Sequence, residues 1–84
     1  IDLDCLDPAC FPGTGTPEAG GVFFPQLLKA IRTVLRTNVA AADVNELAPM
    51  LDASGASTAM ACKTVRELML AIENRLSTPE YNNH

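Results

Sequence analysis

The chain has 84 residues, 48% of them hydrophobic, and a net charge of −4 at pH 7. This apolar content is too high for a disordered tail, and no apolar run approaches the length of about 18 residues that a membrane span requires. The six basic residues fall in two segments, 29–36 and 63–75, whereas most acids precede residue 54 and lie outside the first of them. If those acids line one edge of the fold, that edge repels nucleic acids and nucleotides and attracts metals or a cationic substrate. The alternative is ordinary surface charge.

The first predicted element is a strand over residues 1–8, which Pro8 would end. Asp2 and Asp4 stand two residues apart, so an extended chain would point both carboxylates to the same face. Two parallel carboxylates repel each other unless a cation lies between them, and a divalent metal ion is the simplest such cation. The pattern therefore indicates a metal site, with a solvated acidic turn as the alternative.

A loop over residues 11–21 follows, with four glycines and two prolines, and leads into a predicted helix. Pro25 suits the first turn of that helix, and Asn38 can end it. One face of the helix carries apolar residues at helical spacing: Leu27, Leu28, Ile31, Val34 and Leu35. This face is therefore predicted to be buried.

Residues 39–44 are a short apolar run, typical of a strand covered on both faces in a parallel sheet. After a loop over 47–56, Ser57 would cap a long helix that runs to about Leu76. This helix is predicted to be well buried, because three large side chains widen its apolar stripe: Met60, Met69 and Leu70. Residues 77–84 are predicted to be a frayed tail.

The order strand, helix, strand predicts a right-handed unit with two parallel strands. Both strands would end at the same edge of the sheet, where ligand sites of open α/β sheets form. This arrangement brings Asp2, Asp4 and Glu46 towards one crevice, although they are distant in sequence.

The three cysteines, Cys5, Cys10 and Cys62, are odd in number and show no Cys-x-x-Cys spacing. This argues against a disulfide framework or a zinc knuckle. No base is visible near Cys5, because the one histidine of the chain is His84 in the polar tail. All three are interpreted as small buried hydrophobic residues.

The run from Asp2 to Gly21 contains Asp-x-Asp-x-x-Asp-Pro, then Pro-Gly-Thr-Gly-Thr-Pro, then paired glycines. Without a gap, it resembles the signature of the ureohydrolase family, which comprises arginase, agmatinase and formiminoglutamase. Within that family, the segment Asp-Cys-Leu-Asp-Pro and the later Glu-Leu-Ala-Pro at 46–49 are most similar to agmatinases. The resemblance extends to about Leu76.

The resemblance implies an α/β protein with the arginase-type three-layer α/β/α fold and a mostly parallel sheet. Residues 1–84 would be the C-terminal βαβα portion of a single ureohydrolase domain, which fits a chain that begins without Met inside a predicted strand. The resemblance also implies a homo-oligomer, either a trimer or a hexamer.

The metal that the resemblance implies is manganese, with two ions per complete subunit. Asp2 would bridge both ions and Asp4 would bind one of them. A water between the ions would lose a proton at neutral pH, and the hydroxide would attack the guanidino carbon so that urea leaves. Glu46 matches the acid that grips the substrate guanidinium, and Thr16 would support that grip. Asp7 is interpreted as a structural turn acid, and no catalytic residue beyond the metal ligands is assigned.

The implied reaction is agmatinase-like: it converts agmatine, a small cationic guanidino substrate, to putrescine and urea, within arginine metabolism and polyamine biosynthesis. The alternatives are an arginase, a formiminoglutamase or a guanidinobutyrase, or a metal-free, non-catalytic paralogue subunit. The His and Asp ligands expected from upstream segments are absent, so these 84 residues alone are expected to be inactive. The compartment stays open between cytoplasm and mitochondrion.

Overall fold

A computed structural model describes residues 1–77, with side chains described as far as residue 74. Two α-helices dominate the described part: α1 spans Phe24–Val34 and α2 spans Ala56–Ser77. A short 3-10 helix precedes each of them: Leu3–Cys5 comes before α1, and Pro49–Leu51 comes before α2. Among residues 1–77, strand-type pairing is limited to two isolated parallel bridges, Asp2 with Asn45 and Leu6 with Val22.

The strand predicted over 1–8 is wrong in its middle, where the backbone forms the 3-10 helix Leu3–Cys5. The cause is local, because the Oδ1 atom of Asp2 accepts a hydrogen bond from the Asp4 N–H at 3.2 Å. An aspartate that binds the backbone two residues on competes with the extended conformation. Asp2 and Asp4 therefore lie on a tight turn and not along a regular strand.

The second predicted strand, 39–44, is not formed as a regular strand either, and the bridge observed in this part of the described chain is made by Asn45, just beyond it. The Asn45 N–H donates to the carbonyl of Ile1 at 2.8 Å, and the Leu3 N–H donates to the carbonyl of Asn45 at 3.1 Å. The run 39–44 contains three alanines, and alanine is a weak strand former. The parallel direction is as predicted, and the mostly parallel sheet itself stays a prediction.

Helix α1 begins and packs nearly as predicted. The Phe23 N–H donates to Oε1 of Gln26 at 2.9 Å, and Pro25 occupies the first turn. Four of the five apolar side chains expected on one face are buried: Leu27, Leu28, Ile31 and Leu35. The fifth, Val34, is 59% exposed, so its predicted burial is wrong. Asn38 does not end the helix, which stops at Val34.

Helix α2 differs from its prediction at its start and in its burial. It begins at Ala56, whose N–H donates to Oγ of Ser54, so Ser57 is not its N-cap. Met69 is 65% exposed and Leu70 is 45% exposed, so the prediction of a well-buried helix is wrong. The rest of the described chain covers one face of α2. No helix among residues 1–77 has the length and apolarity needed to cross a membrane.

The end of α2 is close to its prediction of about Leu76, since the helix includes Ser77. Ser77 therefore belongs to the helix and not to the predicted tail. The remainder of that predicted tail, residues 78–84, lies outside the described residues.

A hydrophobic core joins the N-terminal segment to both helices. Its buried members come from the N-terminal segment, from α1 and the residue that follows it, and from α2: Leu3, Leu6, Phe11, Leu27, Ile31, Leu35, Ala61 and Leu68. Phe11 and Leu3 are fully buried, so the start of loop 11–21 is fixed to the helices by apolar contact. The burial that was expected of the cysteines is wrong for Cys5 and Cys62, which are exposed, and Cys10 is partly buried.

Candidate functional site

Three acids that are distant in sequence meet at one place on the surface. Carboxylate oxygens of Asp2, Asp4 and Glu46 lie within 4.8 Å of one another. The bridge between Asp2 and Asn45 explains this, because it sets the residue before Glu46 beside the start of the chain. The structure therefore brings these three residues together, and the metal-binding roles of Asp2 and Asp4 and the substrate-binding role of Glu46 stay predictions.

Glu46 reaches this position through an unusual backbone conformation. Its φ angle is +77°, in the left-handed region that residues other than glycine seldom occupy. Such a conformation costs on the order of 1–3 kcal/mol and persists only where neighbouring contacts impose it. The contacts on either side are backbone hydrogen bonds, from the Asn45 N–H to Ile1 and from the Ala48 N–H to Gly13. Strain of this kind is concentrated at functional sites.

Thr16 lies at the same site and contacts an acid. Its Oγ1 donates to Oδ2 of Asp4 at 2.7 Å. This hydrogen bond restricts the rotation of the Asp4 carboxylate and leaves the remaining lone pairs of that carboxylate available. The predicted contact between Thr16 and a substrate stays a prediction, whereas the observed contact orients a candidate metal ligand.

The electrostatics of the cluster are dominated by the interaction between its acids. A hydrogen bond to the Asp4 side chain, with slight desolvation and the Asp4 charge, raises the pKa of Asp2 above its usual value. Arg32 of α1 forms an ion pair with Glu67 of α2, and neither residue belongs to the cluster. A cation bound between Asp2 and Asp4 would remove the repulsion that favours the protonated form.

Cys5 lies beside the acids, but its chemistry does not suit a nucleophile. Although Cys5 is exposed, neighbouring atoms partly exclude water from its sulfur, and this desolvation, with the charges of Asp2 and Asp4, raises the pKa of the Cys5 thiol. A thiol that stays protonated is a poor nucleophile. The sequence-based view that Cys5 is not catalytic therefore agrees with its surroundings.

Asp7 closes the glycine-rich loop, which confirms its prediction as a structural turn acid. Its carboxylate accepts hydrogen bonds from the N–H groups of Ala9 at 2.8 Å and Gly20 at 2.9 Å. These bonds hold the pKa of Asp7 below its usual value. The Asp7 N–H also donates to the carbonyl of Val22 at 2.8 Å, so both ends of loop 11–21 meet at this residue.

Sequence reasoning missed a second set of polar contacts, beneath the same loop. The Gly13 N–H donates to Oγ of Ser57 at 2.8 Å, and the Ser57 hydroxyl donates to Oδ2 of Asp52 at 2.5 Å. Ser57 is fully buried and Asp52 is 8% exposed. The spacing Asp-x-Ser-x-x-Ser at 52–57 indicates a helix start, but nothing in it identifies Gly13 as a partner.

Comparison with known proteins gives the context of this geometry. Residues 1–71 match the model of the arginase family. The chain belongs to the arginase family. An agmatinase of Halalkalibacterium halodurans is 49% identical over 72 residues, which cover 83% of this chain and 25% of that protein.

Solved structures of the arginase family share the fold of the chain. A candidate agmatinase of Clostridium difficile superposes with a TM-score of 0.84 at 43% identity, covering 92% of this chain and 29% of that one. A proclavaminate amidino hydrolase of Streptomyces clavuligerus gives a TM-score of 0.81 at 35% identity, covering 86% of this chain and 24% of that one. The chain therefore has the arginase-type α/β fold over the part it spans. It spans about a quarter of the length of the curated relatives it matches.

Proposed function

We propose that the protein containing this chain is a manganese-dependent ureohydrolase that converts agmatine to putrescine and urea. Membership of the arginase family and the identity of 49% to an agmatinase support the reaction class. The single observation in the structure that carries the proposal is the meeting of Asp2, Asp4 and Glu46 within 4.8 Å. The cationic guanidino substrate, the mostly parallel sheet and the trimeric or hexameric assembly are parts of the same proposal.

The acids of the cluster fit a hard divalent cation such as manganese. Their donor atoms are carboxylate oxygens, which Mn²⁺ prefers, and the raised pKa of Asp2 reflects two carboxylates placed side by side. Asp2 and Asp4 would hold the metal, with Asp2 shared between two ions, and further ligands would come from outside this chain. When bound, manganese supplies a water molecule of lowered pKa at the site.

The side chains around the metal ligands prepare the site in two ways. Thr16 holds the Asp4 carboxylate in one orientation through its hydrogen bond of 2.7 Å. Glu46, on its strained backbone, presents a negative charge beside the metal ligands, where the guanidinium of a substrate would pair with it. The orientation of the substrate therefore depends on the position of Glu46 relative to Asp2 and Asp4.

The experiment uses the full-length protein loaded with manganese. Urea release is measured from agmatine, arginine and guanidinobutyrate, together with turnover of formiminoglutamate, and we expect agmatine to have the highest kcat/KM. Replacing Glu46 with Gln keeps the shape and removes the charge, so substrate binding should weaken by about 1.5–3 kcal/mol, the range for hydrogen bonds to charged groups. The manganese content of this variant should equal that of the parent.

Glu18→Gln is the matched control, because it removes the same charge from an exposed acid outside the cluster. Its kinetics should be those of the parent. If the parent prefers another of these compounds, agmatine is not its main substrate and the proposed reaction becomes that of another member of the family. A parent that turns over none of the compounds, or a Glu46→Gln variant with unchanged kinetics, would contradict it.

A further inference from the structure

We propose that Ser57, held by Asp52, is a positioning residue that sets the loop carrying Thr16 and the segment carrying Glu46 at their correct separation. The inference rests on the proposed function, because Thr16 and Glu46 belong to the site proposed there. It adds a residue of α2 that touches neither metal nor substrate and acts through Gly13. The inference is supported by hydrogen bonds between buried side chains and backbone groups.

Gly13 is the point where the three segments meet. Its N–H donates to Oγ of Ser57 at 2.8 Å, and its carbonyl accepts a hydrogen bond from the Ala48 N–H at 2.7 Å. Gly13 precedes Thr16 by three residues, and Ala48 follows Glu46 by two. One residue thus links the first turn of α2 to both segments that carry candidate substrate-side residues.

The direction of the Ser57 hydroxyl is imposed by the charge of Asp52. The Ser57 hydroxyl has one hydrogen, which it donates to Oδ2 of Asp52 at 2.5 Å. Its oxygen is then left as an acceptor for the Gly13 N–H. The same Asp52 oxygen accepts from the Ser57 N–H at 2.9 Å, and bonds from Ser54 and Ser57 hold the pKa of Asp52 well below its usual value. Asp52 therefore stays ionised, and the polarity of the hydroxyl is fixed.

The contact also leaves no room for the loop to shift towards α2. A Cβ atom added at Gly13 would lie 2.7 Å from Cβ and 2.9 Å from Oγ of Ser57, and 3.1 Å from Cβ of Asp52. Ser57 is 0% exposed, so water cannot replace its hydroxyl without opening the packing. Loss of the hydroxyl should therefore release the loop and leave the Gly13 N–H without an acceptor.

The test compares Ser57→Ala with Ser54→Ala in the full-length, manganese-loaded protein. Ser54 is the matched control, because its hydroxyl donates to the other oxygen of Asp52, Oδ1, at 2.6 Å and accepts from the Ala56 N–H, whereas the Gly13 N–H donates to Ser57. Each change removes one hydroxyl from the start of α2. Ser57→Cys is the second variant for use if Ser57→Ala does not fold, since a thiol of similar shape is a weaker acceptor.

We expect Ser57→Ala to speed hydrogen exchange in peptides covering residues 11–21. It should also raise the KM for agmatine by about tenfold, because a displaced Glu46 would lose much of its charged hydrogen bond to the guanidinium. Ser54→Ala should do neither. A fraction of inactive protein lowers kcat without changing KM, so the rise in KM separates positioning from simple destabilisation. The manganese content should stay that of the parent.

Equal effects of Ser57→Ala and Ser54→Ala on hydrogen exchange and KM would overturn the proposal. Ser57 would then only stabilise the start of α2. Unchanged exchange over residues 11–21 in Ser57→Ala, or in Ser57→Cys, would overturn it as well. The exchange measurement needs no turnover. If the parent hydrolyses no guanidino compound, the proposed function fails, and the exchange result still decides whether Ser57 holds the loop.

Discussion

Replacing Gly13 with Ala tests how closely loop 11–21 approaches α2. The added Cβ would lie 2.7 Å from Cβ of Ser57, whereas carbon atoms in contact prefer about 3.5–4.0 Å. The loop must therefore move by about 1 Å, because Ser57 is buried at the start of a helix and cannot yield. Overpacking of this kind costs about 1–3 kcal/mol of stability. Chemical denaturation of the full-length protein measures the change.

Gly15→Ala is the matched control for this prediction. Gly15 lies two residues further along the same loop, and a Cβ added there meets nothing within 4 Å. Its stability should stay within about 0.5 kcal/mol of the parent, or rise slightly through the smaller entropy of the unfolded chain. Equal stability of Gly13→Ala and Gly15→Ala would refute the inference that close packing against Ser57 holds the loop.

Three further predictions concern the acids. Asp2→Asn in the full-length protein should lower the occupancy of both manganese ions, because a shared ligand serves both; metal analysis that still finds two ions per chain would contradict the bridging role. Asp7→Asn should be less stable than the parent near neutral pH. Since the folded-state pKa of Asp7 lies below its usual value of 3.8, its contribution is present above that value and lost as the pH falls through the lowered one, so the two melting temperatures should converge in acid. A constant difference across the pH range would rule out this linkage. The 84-residue chain alone should release no urea from agmatine in manganese, because its described residues offer one cluster of three acids; measurable turnover would show that the site is complete without other segments.

The amino-acid sequence alone was sufficient for the features that depend on local chemistry. The run from Asp2 to Gly21 indicated the family, which the family match over residues 1–71 confirms. Helical spacing predicted α1 and its buried face, because a period of about 3.6 residues needs no knowledge of distant segments. The role of Asp7 was also predictable, since its partners Ala9 and Gly20 belong to the same turn-rich stretch.

Burial was less predictable, because apolar spacing identifies which face of a helix can be buried but not what covers it. The stripe of α2 has the right period, yet Met69 is 65% exposed and only the side facing α1 and the N-terminal segment is covered. The two predicted strands failed for a related reason. A strand is stabilised by neighbouring backbone, and among the described residues the bridge that links these two parts of the chain joins Asp2 to Asn45, just beyond the second predicted strand.

The geometry of the site was decided by tertiary structure. Asp2 and Asp4 converge because Asp2 binds the Asp4 N–H in a 3-10 turn, and Glu46 joins them through a left-handed backbone with φ of +77°. Ser57 acquires its place only by contact with Gly13, which is 44 residues away in sequence. Local patterns record the preferences of a residue and its near neighbours, whereas these positions result from hydrogen bonds and packing between segments that meet only after the chain has folded.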